Sequence, residues 1–393
     1  MGFHYKTRVM ADAQRLLDFC RDHEGWLFDT IEALVRLESP TDDKSAVDRC
    51  GVDLAARLHD IGGRVTTVTT STAGNHLRAE FGSGKRQILL LGHFDTVWPI
   101  GQLQHMPLNR DGARLCGPGV LDMKAGISLG MLATRAVTET AALVDTRIVM
   151  LWTTDEETGS RTSRALLETE ARQSAAVLVL EPALPGGVLK TSRKGCGEYE
   201  LVVHGEAAHA GVDPSKGVSA IRELARQILA VETLQDLPRG ISVNVGVIEG
   251  GSRPNVVAAE ARARIDVRAT TMVDAQHVDD AMRALTPHIA GARLTIHGGF
   301  SRPPMERTAG VARLYEHATA VGHELGQTIC EGTTGGGSDG NFCAAMGVPT
   351  LDGLGALGDG AHALHEHVLT AELVPRAALL AGLIARLSTN SDA

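Results

Sequence analysis

Three short apolar runs, Gln87 to Leu91, Arg147 to Trp152 and Ala176 to Leu180, are separated by helical pattern, and each is followed within a few residues by side chains that can carry charge. Short, continuously apolar runs alternating with helices predict a mostly parallel α/β sheet with helices on both faces, because only a strand buried on both sides is apolar throughout. In such sheets ligands bind beyond the carboxyl ends of the strands. The histidine and acidic clusters of this chain stand at those ends.

The pattern changes from about Lys194. A strand (Glu198 to Val203), a helix (Val218 to Thr233), two strands (Ile241 to Ile248 and Val256 to Arg268), a helix (Asp274 to Ile289) and a strand (Arg293 to His297) follow in turn. The order β-α-β-β-α-β predicts a ferredoxin-like unit. Its third strand alternates cleanly: Ala259, Ala261, Ala263, Ile265 and Val267 share one side, and Glu260, Arg262, Arg264, Asp266 and Arg268 share the other. One face is expected packed and the other wet. The expected organisation is a catalytic domain of residues 1–193 and 307–393, closed by a helix from about Ala371 to Leu387, with residues 194–306 inserted as a lid and dimerisation domain.

At 393 residues the chain exceeds one ordinary core, and about 150 residues per domain agrees with two domains. A net charge of −9 argues against a nucleic-acid partner. No stretch approaches the roughly 18 apolar residues of a membrane span, and the start M-G-F-H-Y-K-T-R lacks a signal-peptide core. A cytoplasmic protein with no membrane partner is expected. Six cysteines are scattered without a C-x-x-C pair, so neither a disulfide framework nor a thiolate zinc site is indicated.

Five clusters could carry chemistry. In L-L-L-G-H-F-D-T-V, His93 and Asp95 stand two apart just past a strand, a spacing suited to a metal ligand and the carboxylate that orients it. In G-P-G-V-L-D-M-K-A-G, Asp122 sits in a glycine-lined turn before a helix, where an N-cap is the plainer role. L-W-T-T-D-E-E-T-G-S packs Asp155, Glu156 and Glu157 together; adjacent acids repel, and such a cluster attracts a cation. V-L-V-L-E-P-A ends an apolar strand in Glu181, and A-H-A-L-H-E-H-V offers His362, His365 and His367, among which spacing cannot choose. Mixed histidine and carboxylate ligands suit zinc.

H-F-D-T-V, G-V-L-D-M-K-A-G, T-T-D-E-E-T-G-S, L-E-P, G-E-A-A-H-A-G and T-G-G-G-S-D-G together resemble, in order and over almost the whole chain, the co-catalytic zinc peptidase family of carboxypeptidase G (glutamate carboxypeptidase), aminoacylase and succinyl-diaminopimelate desuccinylase. The resemblance implies a phosphorylase/hydrolase-like catalytic fold and two Zn2+, with Co2+ or Mn2+ as substitutes. It implies that His93, Glu157 and His362 hold the ions, with Glu181 on one and Asp122 bridging both. His362 is chosen because the family pattern H-x-x-x-E-x-V is met by His362, Glu366 and Val368; family members carry asparagine or aspartate where His365 stands. A cis peptide after Asp122 is implied as well.

The resemblance further implies Glu156 as general base and Asp95 as the orienter of His93. His209, in G-E-A-A-H-A-G, is implied as an oxyanion donor reaching the site from a partner subunit, so a homodimer through the inserted domain is expected. Asn255 and Arg268 are implied to bind a substrate carboxylate, since a guanidinium fork matches one. The Gly335 to Gly337 loop lacks a phosphate-cradle ending, so Gly336 and Gly337 read instead as a close backbone approach to substrate. The expected activity is hydrolysis of amide bonds in small peptides or N-acyl amino acids with a free carboxylate, releasing a C-terminal amino acid such as glutamate. An N-acyl amino acid deacylase or desuccinylase is the alternative. A non-catalytic metal-binding scaffold would show a missing ligand or base, and the sequence shows neither missing.

Overall fold

The computed structural model describes residues 2–389, with side chains from Asp12 onward. Met1, the first residue of the M-G-F-H-Y-K-T-R start, lies outside the described residues. The chain divides into two compact units. One holds the residues up to Thr191, Arg307–Thr333 and Ser338 onward; the other holds Ser192–Glu306 together with Thr334–Gly337.

The first unit opens with helices α1 (Gly2–Asp22), α2 (Glu24–Arg36) and α3 (Lys44–Asp60). Its strands follow as β1 (Arg64–Val68), β2 (His76–Gly82), β3 (Arg86–His93), β4 (Thr146–Thr153) and β5 (Ala176–Val179), and helices α4 (Ala125–Glu139) and α5 (Arg164–Arg172) lie between the last of them. The sheet order is β1-β2-β4-β3-β5, completed by Thr350–Leu351. β4, β3, β5 and the last strand run parallel. β2 is antiparallel to β4, and β1 to β2. No apolar run marks this hairpin between Leu58 and Gln87, because β1 is polar and mostly exposed and β2 alternates buried Leu77, Ala79 and Phe81 with polar residues.

Successive residues of the central strands go to opposite cores, as the period of two requires. Ile88, Leu90, Ile148, Met150, Trp152 and Leu178 pack in the larger core with α2, α3, α4 and the C-terminal helix Thr370–Thr389. Leu89, Leu91, Val149, Leu151, Val177 and Val179 face Leu167 and Ala171 of α5 and Phe342 and Cys343 of the short helix Gly340–Ala345. α4 lies so close to the end of β5 that a Cβ on Gly126 would stand 2.1 Å from the Leu180 carbonyl oxygen. That approach fixes the turn preceding α4 against the strand ends. The peptide bond Asp122–Met123 within the turn is cis. None of the described helices is long and apolar enough to cross a membrane.

The second unit holds β6 (Gly195–His204), α6 (Ala220–Glu232), β7 (Ser242–Gly250), β8 (Glu260–Ala269), α7 (Met272–Arg283) and β9 (Arg293–Arg302). Its antiparallel sheet has the order β7-β8-β6-β9, the ferredoxin-like arrangement. Tyr199, Leu201, Val203, Ala261, Ala263, Ile265 and Val267 form its core with Leu224, Val231, Val278 and Met282 of the two helices. β8 begins at Glu260, later than the sequence suggests, and Ala259 is exposed, because Val256–Ala259 is occupied in loop pairing: Val257 N–H donates to Ala208 O, and Ala259 O accepts from Gly205 N–H. α7 stops at Arg283, before Pro287, which has no N–H to continue a helix.

Candidate metal centre

β3 lies between β4 and β5, and the parallel register aligns His93 with Thr153 and Leu91 with Val179. His93 is therefore flanked on one side by the turn Asp155–Glu157 that follows β4, and on the other by Glu181 just past β5. The crossover from β3 through α4 brings the Asp122 turn over the same strand ends. Ligand atoms of His93, Asp122 and Glu157 all lie within 4.8 Å of one another. His93 Nε2 stands 3.2 Å from Asp122 Oδ1 and 3.6 Å from Glu181 Oε1. On the far side of Asp122, His362 Nε2 is 3.4 Å from Oδ2 and 3.2 Å from Glu157 Oε2.

Of the three histidines that spacing leaves equivalent, His362 joins the cluster, while His367 is buried with Nδ1 against His365 O at 2.9 Å. His362 has φ of +61°, a region costly for a side chain bearing Cβ. Asp95 is fully buried below His93. His93 Nδ1 is 3.1 Å from the Asp95 main-chain carbonyl oxygen and 3.4 Å from its carboxylate Oδ1, so the backbone shares the orienting contact expected of the side chain alone. Asp95 Oδ2 accepts from Thr41 Oγ1 at 2.8 Å.

The acidic turn is divided rather than uniform. Asp155 turns inward, and its Oδ2 accepts from Thr162 N–H at 2.6 Å and Thr162 Oγ1 at 2.9 Å. Buried His76 bridges Thr162 Oγ1 and Thr154 Oγ1, at 3.0 and 2.9 Å. Asp339, from the S-D-G sequence, accepts from Thr153 Oγ1 at 3.1 Å and from Ser160 Oγ. Of the three acids, Glu157 alone enters the cluster, and Glu156 is half-buried in the adjoining 3-10 turn. His76 carries no local signal in the sequence, and Asp339 lies in the T-G-G-G-S-D-G motif without an assigned role; only the fold brings them behind this turn. Glu366 was noted only as part of a pattern, yet it is buried and accepts four hydrogen bonds, from Trp98 Nε1 and from Gly119, Leu121 and Asp122 N–H.

The remaining candidates belong to the second unit. His209 is exposed, and its Nδ1 accepts from Gly211 and Val212 N–H at 3.2 Å each, which leaves the proton on Nε2. Asn255 is adjacent, its carbonyl accepting from Ala210 N–H at 3.0 Å. Arg268 lies on β8 and already has partners. Its Nε and Nη2 are already paired with Asp266, two residues earlier on the same strand face, at 3.0 and 2.7 Å, and Nη1 lies 2.6 Å from Cys196 Sγ. Gly336 and Gly337 present carbonyls to Arg193 Nη1, and a Cβ on Gly337 would stand 3.0 Å from Cys196 Sγ. Arg268 and Gly337 therefore share Cys196 as a neighbour.

Residues 89–386 match the model of peptidase family M20/M25/M40. Over 373 residues, 92% of this chain and 89% of the relative, the sequence is 29% identical to carboxypeptidase G2 of a Pseudomonas species (strain RS-16). The structure of aminopeptidase PepT from Bacillus cereus is similar with a TM-score of 0.77 at 21% identity, covering 93% of this chain and 99% of that one. The Bacillus subtilis YXEP protein, described as a dinuclear metal binding peptidase, is similar with a TM-score of 0.69 at 13% identity, over 93% and 99% of the two chains. These structural likenesses establish the fold.

The cluster concentrates negative charge, and its imidazoles respond. Burial by itself lowers the pKa of His93, but hydrogen bonds to Asp122, Asp95 and Glu181 reverse this and hold it well above the ordinary value. Hydrogen bonds to Asp122 and Glu157 push His362 up to about 10. Asp122 is held far below the carboxylate range by both imidazoles against the effect of burial, and burial raises Glu157. Both histidines thus have folded pKa values above the unfolded value of about 6.5. Their stabilising contribution is complete below about pH 6.5 and is lost as pH rises through the folded values. Thermal denaturation of chelator-treated protein is expected to give a lower melting temperature at pH 9 than at pH 6.5, and His362→Ala is expected to flatten that dependence.

Proposed function

The chain belongs to peptidase family M20/M25/M40, and we propose that it is a two-metal hydrolase releasing a C-terminal amino acid such as glutamate from small peptides or N-acylated amino acids. The observation that carries this reading is the convergence of His93, Asp122, Glu157, Glu181 and His362. The donor set fits a divalent metal: Glu157 Oε1 is buried with no hydrogen-bond partner, and among the described residues of the cluster the imidazoles supply the positive charge. His93 and Glu181 would hold one ion, His362 and Glu157 the other, and Asp122, with one oxygen toward each imidazole, would bridge them. Two Zn2+, replaceable by Co2+ or Mn2+, suit imidazole and carboxylate ligands. Bound there, such ions supply acidification of a water and polarisation of the scissile carbonyl.

The chain's own residues supply the rest. Glu156, beside the ligand Glu157 and held by a turn anchored through Asp155 and Asp339, takes the attacking water's proton and returns it to the leaving nitrogen. Asp95 orients His93. His209 carries its proton on Nε2 and is suited to donate to a developing oxyanion. Asn255, Arg268, Gly336 and Gly337 bind the substrate, with Arg268 engaging the carboxylate. Because Asp266 occupies two of its donors, that carboxylate meets Nη1 or competes with Asp266. Cytoplasmic residence agrees with the reduced, unpaired cysteines.

Two measurements follow. Folyl-glutamate and dipeptides are to be assayed against N-acetyl and N-succinyl amino acids with the metal-loaded enzyme. Turnover of the glutamyl and peptide set is expected, with Glu156→Ala lowering kcat at least about 100-fold; turnover confined to the acylated set would make the enzyme a deacylase. We also propose a homodimer through the second unit, because β7 is an edge strand on which Val247 and Ile248 are exposed. Light scattering is expected to give twice the chain mass, and an active monomer would remove His209's action across subunits.

A further inference from the structure

We propose that Glu366 is a positioning residue that holds the Asp122 carboxylate between the two imidazoles, an inference that rests on the reading of the cluster as a cation site. Glu366 is 1% exposed. Its Oε2 accepts from Trp98 Nε1 and Gly119 N–H at 2.8 Å each, and its Oε1 accepts from Leu121 N–H at 2.9 Å and Asp122 N–H at 3.0 Å. All four lone-pair positions of one buried carboxylate are thereby used.

The geometry explains why a carboxylate is needed there. The turn leading to Asp122 is not helical: Gly119 has φ of +70°, and Asp122 has φ −113° and ψ 92°. Val120 and Lys124 N–H donate to the Gly117 and Gly119 carbonyls, but the N–H groups of Gly119, Leu121 and Asp122 point together at one place, and converging backbone N–H groups form a site for an anion. Glu366 fills it from a segment 244 residues away in sequence. Gly119 admits the close passage of a third segment, since a Cβ there would lie 2.5 Å from Thr96 Cγ2.

Three segments of the cluster are tied at this point. Trp98 lies three residues past Asp95, Gly119 to Asp122 form the bridging turn, and Glu366 lies four residues past His362. The bond to Asp122 N–H acts on the residue whose oxygens must meet His93 and His362 together, at 3.2 and 3.4 Å. An amide at position 366 would keep one acceptor and set an NH2 group against two N–H donors. The turn would shift, and Asp122 could no longer serve both sides. Residues that orient ligands in this way typically contribute 10–100-fold to metal affinity or activity.

The test uses the full chain, stripped of metal by chelator, and titrated with Zn2+ against a competing chromophoric chelator and with Co2+ by visible absorption. Glu366→Gln is expected to weaken Zn2+ binding by about 10–100-fold, to change the Co2+ spectrum, and to lower kcat with KM little moved. Wild-type Zn2+ affinity and an unchanged Co2+ spectrum in Glu366→Gln would overturn the proposal whatever happens to its melting temperature, since a residue that only stabilises the fold would behave so. If Glu366→Gln does not fold, Glu366→Asp, which keeps the charge and shortens the reach, takes the same measurements with the same two outcomes. A wild-type chain that binds no Zn2+ would instead reject the cation reading on which the proposal stands.

Discussion

Three carboxylates and two imidazoles are linked by contacts of 3.2 to 3.6 Å over the carboxyl ends of three adjacent parallel strands, and much of the first unit is arranged around that constraint. Two like charges about 4 Å apart repel by about 4 kcal/mol at the effective dielectric of a protein surface, and by more where burial is deeper. The repulsion is balanced here by positive charge on His93 and His362. A divalent ion answers it better, because it lets both imidazoles act as neutral ligands and gives the orphaned Glu157 oxygen a partner. The buried strands, the close docking of α4 at Gly126 and the inward anchoring of Asp155 all serve to keep these charges where chain entropy and mutual repulsion would separate them.

Support for the cluster comes from behind it. The Thr162, His76 and Thr154 chain and the Asp339 carboxylate fix the turn that carries Glu156 and Glu157. Lys124, wholly buried, donates to Leu34 and Leu37 carbonyls and so ties the Asp122 turn to the end of α2. Arg376, likewise buried, donates to the carbonyls of Gly353, Gly355 and Gly187, and Gly355 N–H donates in turn to Glu181 O. The segments that carry Glu157, Asp122 and Glu181 are thus each held by a charged group outside the cluster.

What the sequence discloses follows from how local each signal is. The apolar runs disclose the parallel strands, and with them the placement of His93, Glu157 and Glu181, because a strand end is a local feature. Asp122 and His362 needed the resemblance, since a glycine-lined turn and three neighbouring histidines have ordinary readings. The roles of His76, Asp339, Lys124 and Glu366 depend on partners tens to hundreds of residues away, so no window of sequence reveals them. Arg268 is the instructive case. Its pairing with Asp266 lies two residues away on one strand face, where the alternation makes it legible, whereas a carboxylate-binding role comes from the resemblance alone.

The central claim is that these five side chains form one two-ion site divided by Asp122. It is tested most directly by isothermal titration of chelator-stripped protein with Zn2+ at neutral pH, for wild type and for His362→Ala. The account predicts two ions per wild-type chain and the loss of one in His362→Ala, with the His93 side still occupied. A single ion in the wild type, or two retained without His362, would contradict it.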